Sequence, residues 1–353
     1  MTSAELDISA GLDGLRRVAF LLERQLAPTY RVKAFRGAVD TISAAEPAAV
    51  GELVAAGRLT DLPGIGPKTA GVFVACARGE VPTYLADLEG APAPDPGEGR
   101  FLLEALRGDL HMHSDWSDGG SPIDEMARAA ADLGHEYAVL TDHSPTLKVA
   151  NGLSAERLRQ QLDVVERVNA ELSPFRLLTG IEVDILEDGS LDQDPDLLAR
   201  LDVVVGSVHS KLRSPRELMT RRMVLAVANP QLDVLGHCTG RMVAGNRVRP
   251  ESEFDAALVF EACRRFGVAV EINCRPERLD PPRRLIRQAL EQGCDFAIDT
   301  DAHAPGQLDW QAYGCARAVE CGVAPERVVN TWGADELLAW TAEHGPWAGE
   351  TAP

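Results

Sequence analysis

Between residues 108 and 301, short runs of strand character take turns with longer runs of helical period, and this alternation constrains the chain more than any other feature. The strand-type runs are 108–113, 138–143, 177–185, 202–209, 232–238, 268–274 and 296–301. Helical segments at 123–133, 155–172, 216–228, 254–266 and 283–292 separate them. Regular β/α alternation calls for parallel strands joined by crossover helices. Seven such units within 108–345 favour a distorted (β/α)7 barrel of the TIM type over an open sheet.

In such barrels chemistry gathers where strands end. The runs here end in His111-Met112-His113, Thr141-Asp142-His143, Gly180-Ile181-Glu182-Val183-Asp184, Gly206-Ser207-Val208-His209, Leu235-Gly236-His237 and Asp299-Thr300-Asp301-Ala302-His303. Six of the eight histidines therefore share one rim, while His135 and His344 read as ordinary surface or packing residues. Residues two apart in an extended chain point the same way, so His111 and His113 stand side by side, and the turn after Trp116 returns Asp118 towards them. Neutral imidazoles with carboxylates suit a borderline divalent ion such as zinc or manganese. One His-x-His is commonly a packed pair, but a packing explanation would have to hold six separate times. Asp142, Asp184 and Asp299 are expected to orient imidazoles, or in the case of Asp184 equally to cap a turn, and Cys238 and Cys274 to pack.

Residues 1–89 read as a small all-α domain. Apolar residues recur at helical spacing over 12–26, 30–42 and 48–56, with Tyr30, Phe35 and Val39 as the apolar side of the second helix and Arg31, Lys33 and Arg36 exposed. Leu62-Pro63-Gly64-Ile65-Gly66-Pro67-Lys68 then leads into a further helix; the two glycines permit a tight turn, and Pro67 suits a first helical turn. The segment resembles a helix-hairpin-helix, in which exposed amides near Gly64, Ile65 and Gly66, with Lys68 beside them, would hold a DNA phosphate. Residues 90–107, beginning Gly-Ala-Pro-Ala-Pro, read as linker.

With Tyr30-Arg31-Val32-Lys33-Ala34-Phe35-Arg36-Gly37, the first domain is similar to the N-terminal domain of family X DNA polymerases. That resemblance would place a lyase lysine four residues after Lys68, where this chain has Val72, so no lyase function is implied. The chain passes almost directly to His111 with no room for a polymerase palm, and a polymerase is not expected. The barrel motifs (Asp-Leu-His-x-His-Ser, Thr-Asp-His-Ser, Gly-x-Glu-x-Asp-Ile, Gly-Ser-Val-His, Gly-His-x-x-Gly-Arg, Glu-Ile-Asn, Asp-Ala-His) resemble those of the polymerase and histidinol phosphatase (PHP) superfamily, most closely the PHP domain of bacterial family X polymerases. The resemblance implies two or three divalent ions: zinc, manganese or iron. His111, His113, Glu182 and Asp301 would hold one, and these four are the expected catalytic set. Glu182 would bridge to a second on His209 and His237, and Asp118, His143 and His303 would hold a third. Arg241, Arg275, Arg278, Lys211 and Arg213 are candidates for substrate phosphate, with Arg241 and Arg275 preferred because each closely follows a strand end.

The formal charge of −19 argues against broad electrostatic attachment to nucleic acid. It is unevenly placed: residues 1–90 carry 9 Lys/Arg against 11 Asp/Glu, leaving −17 to the remainder. The seven cysteines form no Cys-x-x-Cys pair, and the start lacks a signal-peptide pattern, so a reducing, cytoplasmic setting without membrane attachment is expected. The leading expectation is a metal-dependent phosphoesterase acting on DNA ends in repair, as a 3′–5′ exonuclease or 3′-end-cleaning phosphatase. The alternative is a small-metabolite phosphomonoesterase of the histidinol phosphatase type. A non-catalytic scaffold is disfavoured by the complete ligand set. No Walker-type loop or dinucleotide fingerprint offers a rival chemistry.

Overall fold

The computed structural model describes residues 6–245 and 248–343, so His344 and the expected barrel end at 345 lie outside the described residues. The chain divides into two compact units, 1–93 and 94–353. No helix among the described residues is long and apolar enough to cross a membrane.

The first unit is helical: α1 (Ile8–Arg24), α2 (Thr29–Ser43), α3 (Pro47–Ala55), α4 (Pro67–Ala77) and α5 (Thr83–Glu89). Helix α1 starts four residues before the apolar pattern does, because the Asp7 carboxylate accepts the Ala10 N–H as a cap. Leu15, Val18, Leu22, Phe35, Val39, Val72 and Phe73 form the core. Two glycines let α1 and α4 approach closely: a Cβ at Gly11 would lie 2.6 Å from Phe73, and one at Gly14 2.4 Å from the Cys76 Sγ. Two readings of α2 change. Tyr30 is 74% exposed, and Arg36 pairs at 2.8 Å with the buried carboxylate of Glu23 instead of facing solvent.

The second unit opens with α6 (Arg100–Ala105), inside the segment read as linker; Leu102 is fully buried in the barrel core. A Cβ at Gly99 would meet the Cys315 carbonyl at 2.7 Å, so this stretch is packed against the barrel, not free. Then follow β1 (Gly108–Met112), α7 (Ile123–Asp132), β2 (Tyr137–Leu140), α8 (Ala155–Leu172), β3 (Arg176–Asp184), the short α9 (Pro195–Leu198) and β4 (Val203–Ser207). After these come α10 (Arg216–Val227), β5 (Val234–Leu235), α11 (Ala256–Phe266), β6 (Ala269–Asn273), α12 (Arg283–Glu291), β7 (Phe296–Asp299), α13 (Gln311–Glu320) and α14 (Ala334–Glu343).

The sheet order is β1-β2-β3-β4-β5-β6-β7 with every neighbouring pair parallel, as expected of an α/β TIM-like barrel. Its two ends meet: Met112 bridges Ala302, and the His113 N–H donates to the Ala302 carbonyl at 2.7 Å. Side chains complete this junction. Asp299 Oδ1 accepts the Leu110 N–H at 2.9 Å and the Asn330 amide at 2.8 Å, and Asp109 accepts both the N–H and the hydroxyl of Thr300.

Leu110, Val139, Leu178, Val205, Val234, Ala269 and Ala297 fill the lower barrel, closed beneath by Val329 and Leu337. The polar residues sit above this apolar plug, at the carboxyl ends of the strands. Pairing between β1 and β2 slips from Asp109↔Ala138 to Met112↔Leu140, an extra residue in β1. The bulge allows two consecutive residues to serve the interior: Leu110 joins the plug, and His111 reaches Glu271 across the barrel.

Candidate metal centre

The rim gathers the nine predicted residues. Glu182, inside β3 and fully buried, stands at the middle. Its Oε2 lies 3.5 Å from His111 Nε2, 3.6 Å from His113 Nε2 and 2.8 Å from His143 Nδ1. Its Oε1 lies 2.9 Å from His237 Nε2 and 3.3 Å from His209 Nε2. Asp301 Oδ1 is 3.4 Å from His113 Nε2, and Asp118 Oδ1 is 3.2 Å from His303 Nε2 and 3.4 Å from His143 Nε2. Three groups could each hold an ion: His113, Asp118, His143 and His303; His111, His113 and Asp301; and His143, Glu182 and His209. Asp301 holds this place with φ 52°, a backbone conformation that costs a non-glycine residue about 1–3 kcal/mol.

The donor set suits divalent cations. Buried polar atoms are ordinarily hydrogen-bonded, yet His111 Nε2, both ring nitrogens of His113 and His209, and both oxygens of Glu182 are buried without a hydrogen-bond partner. The charges are strongly perturbed. Burial opposes the charge of Glu182, but His209, His143 and His111 outweigh it and hold the carboxylate well below its usual range. Burial is likewise outweighed at Asp301, by Arg275, His113 and Arg278, and at Asp118, by His143 and His303. His143 is pushed up to about 10, since Glu182 and Asp118 overcome its burial. His113 is held well below the usual range by burial, reinforced by His303 and His143.

Glu271 is a functional residue that the sequence reading missed. Its Oε1 lies 2.6 Å from His111 Nδ1, and its Oε2 accepts the His237 N–H at 2.5 Å. Asn273 bridges Glu271 Oε2 and Asp301 Oδ2, both at 3.2 Å. The signal was present: Glu271 and Asn273 share one face of an otherwise apolar strand, where an unpaired charge would be costly. Two of the three aspartates expected to orient imidazoles, Asp142 and Asp299, act on other groups. Asp142 accepts from Ser114, Ser117 and Gln161, and so fastens the turn bearing Asp118. Asp299 serves the β1–β7 junction. Asp184 accepts the backbone N–H of His209 at 3.1 Å, with the ring Nδ1 farther away at 3.7 Å.

The basic candidates separate. Arg275 Nη1 lies 2.9 Å from His303 Nδ1 and 3.6 Å from Asp301 Oδ1, and Arg278 Nε lies 3.2 Å from Asp301 Oδ2. Arg241 is turned elsewhere, onto the carbonyls of Arg278 and Leu279 and the carboxylate of Glu251. Lys211 (φ 54°) and Arg213 are exposed in the loop after β4. In the first unit Gly64 takes φ 75°, Ile65 is buried, and Lys68 stands 4.4 Å over the Tyr84 ring. The N–H groups of Ile65 and Gly66 are engaged by the Leu62 carbonyl and by Thr69 Oγ1. Val72 lies in the core of this unit, 3% exposed.

Residues 109–275 match the family model of the PHP domain. The fold, the rim and this match define the class of this region: residues 109–275 carry a PHP domain, the domain of metal-dependent phosphoesterases. Among individual relatives, it is 42% identical over 228 residues to the DNA polymerase/3'-5' exonuclease PolX of Bacillus subtilis, a match covering 65% of this chain and 40% of that protein. The chain thus spans two-fifths of that relative's length. A probable phosphatase of Thermoanaerobacter sp. is 28% identical over 63% of this chain and 89% of its own. A solved histidinol phosphate phosphatase from Lactococcus lactis, complexed with zinc, L-histidinol and phosphate, aligns with TM-score 0.45 at 19% identity, over 62% of this chain and 95% of that one.

Proposed function

We propose that this phosphoesterase acts on DNA ends, as a 3′–5′ exonuclease or 3′-end-cleaning phosphatase in repair. The observation that carries the reading is the union, in one chain, of the nine-residue rim with a first unit in which Gly64 turns the backbone between α3 and α4. The exonuclease named in the PolX relative supports it. Two or three divalent ions, zinc, manganese or iron, are the proposed cofactors. His111, His113, Glu182 and Asp301 would hold one, Glu182 with His209 and His237 a second, and Asp118, His143 and His303 a third. Bound there, such ions lower the pKa of a coordinated water towards about 7 and stabilise charge on phosphoryl oxygens.

The chain's own groups do the rest. Arg275 and Arg278 lie at the edge of the rim, each with a buried guanidinium nitrogen that meets no hydrogen-bond partner, which supports reading both as the groups that take phosphate oxygens. Glu271 fixes the His111 ring so that Nε2 faces Glu182 and Asp301. In the first unit, Gly64 and Lys68 are the proposed DNA-phosphate contacts. The acidity of residues 91–353 favours a second reading, a phosphomonoesterase for a small metabolite.

One comparison separates the two. A metal-loaded preparation is given a 3′-phosphorylated oligonucleotide, a plain primer–template and histidinol phosphate, before and after deletion of residues 1–95. We expect deletion to raise KM on DNA by roughly ten- to hundredfold, the worth of one charged phosphate contact. The loss should grow from low to physiological salt, with a small phosphoester unaffected. Equal DNA hydrolysis with and without the first unit across that range would move the metabolite reading ahead.

A further inference from the structure

The loop after β6 carries Arg275 and Arg278, and its backbone is anchored from two sides. Arg317, on α13 and 3% exposed, donates from Nη1 to the Asn273 carbonyl at 3.1 Å, and from Nη2 to the carbonyls of Leu279, at 2.7 Å, and Pro281. Arg241, from the loop after β5, donates from Nε to the Arg278 carbonyl at 3.1 Å and from Nη2 to that of Leu279. Two guanidinium groups from separate elements thus converge on one carbonyl, that of Leu279, a non-glycine residue with φ 47°. The buried Asp280 carboxylate fixes Arg241 in turn: it accepts the Arg241 N–H at 3.2 Å and the Thr239 hydroxyl at 2.7 Å.

A guanidinium is expensive to bury unless its donors are matched. Here the partners are backbone carbonyls that the left-handed turn at Leu279 makes available. With the carbonyls of 273, 278, 279 and 281 engaged in this way, the side chains of Arg275 and Arg278 lie against Asp301 at the rim. Lysine could not replace Arg317, because a single ammonium nitrogen lacks the fork that reaches three carbonyls at once.

We infer that Arg241 and Arg317 are positioning residues that hold the 273–281 loop in the one shape that aims Arg275 and Arg278 at substrate phosphate. The inference rests on the reading of that arginine pair as the phosphate-binding groups. Arg241 therefore acts on phosphate through its neighbours and not by contact.

The test uses the full chain loaded with manganese and the variants Arg317→Met, Arg317→Lys, Arg241→Met and Arg275→Ala. Four quantities are read: inhibition by inorganic phosphate, KM and kcat on a small aryl phosphate, manganese per chain, and the circular dichroism spectrum. For Arg317→Met and Arg241→Met we expect phosphate inhibition about tenfold weaker and KM raised to match, with kcat within about threefold. Manganese content should stay at the wild-type level, and Arg317→Lys should fail to restore phosphate inhibition. Unchanged inhibition in a folded Arg317→Met or Arg241→Met protein, or full rescue by Arg317→Lys, overturns the inference. Should Arg317→Met not fold, Arg241→Met, on a half-buried residue, decides the matter. If Arg275→Ala itself leaves phosphate inhibition intact, the phosphate-binding reading has failed and the inference falls with it. A weakened Arg275→Ala beside unaffected Arg317→Met and Arg241→Met proteins sinks the positioning role alone.

Discussion

The two units of this chain handle buried polarity in opposite ways. In the first, the buried residues are almost all apolar; Glu23 is matched by Arg36, and the Thr69 hydroxyl meets Gly66. In the second, six imidazoles, three carboxylates and Glu271 crowd the top of a barrel, several with atoms that meet no hydrogen-bond partner. Burying such groups unmatched destabilises a fold, so their retention marks a place where ligand binding and not packing fixed residue identity. The contrast separates residues chosen for shape from residues chosen for charge, and each kind fails differently when altered.

The largest effect should come from the rim. His111→Ala together with His113→Ala is expected to lower turnover by more than the roughly 100-fold that loss of a group supporting a metal ligand costs. The fold should survive, since neither change removes a residue of the apolar plug. Steady-state kinetics beside a thermal melt decide the point, and full activity in the double variant would end the metal assignment. Next in size is the response to metal itself. Saturation at about 100 times Kd should stabilise the barrel by about 2.7 kcal/mol. The melting transition of the first unit should stay where it is, and equal shifts in both would erase the contrast. Metal affinity should also weaken as pH falls, because His143, pushed up to about 10, must release its proton to bind. The smallest effect belongs to shape. Gly14→Val forces a side chain into space held by Cys76 and should destabilise the first unit by about 1–3 kcal/mol. Hydrolysis of a small phosphoester should not change, and a parallel loss of barrel activity would show that the units are not independent in this respect.

What the sequence disclosed follows the same division. Strand ends fix direction as well as place, so the rim could be read from seven short runs, and the structure brings all nine predicted residues within one cluster of contacts. Effects that depend on path were hidden. Arg241, like Arg275, follows a strand end, yet the turn of its loop sends the guanidinium to the neighbouring backbone. Glu271 sits mid-strand, where alternation shows only that it shares a face with Asn273, not that His111 lies across the barrel. The extra residue in β1 leaves no mark in composition, because both Leu110 and His111 suit an interior. Helix α6 was concealed by the proline and glycine residues just before it.

The junction of β1 with β7 gives the barrel a seam. Around the rest of its circumference strands are stitched mainly by backbone groups, which every residue but proline supplies and no ordinary substitution removes, with side-chain help from Asp233 to Val204 and from Asp202 to Thr179. Here Asp109, Thr300, Asp299 and Asn330 do much of the stitching with side chains. Closure along this meridian is therefore heritable, open to loosening by a change in a single codon. Since His111 and Asp301 stand at its upper end, mutation there reaches the width of the catalytic mouth without altering any residue that lines it.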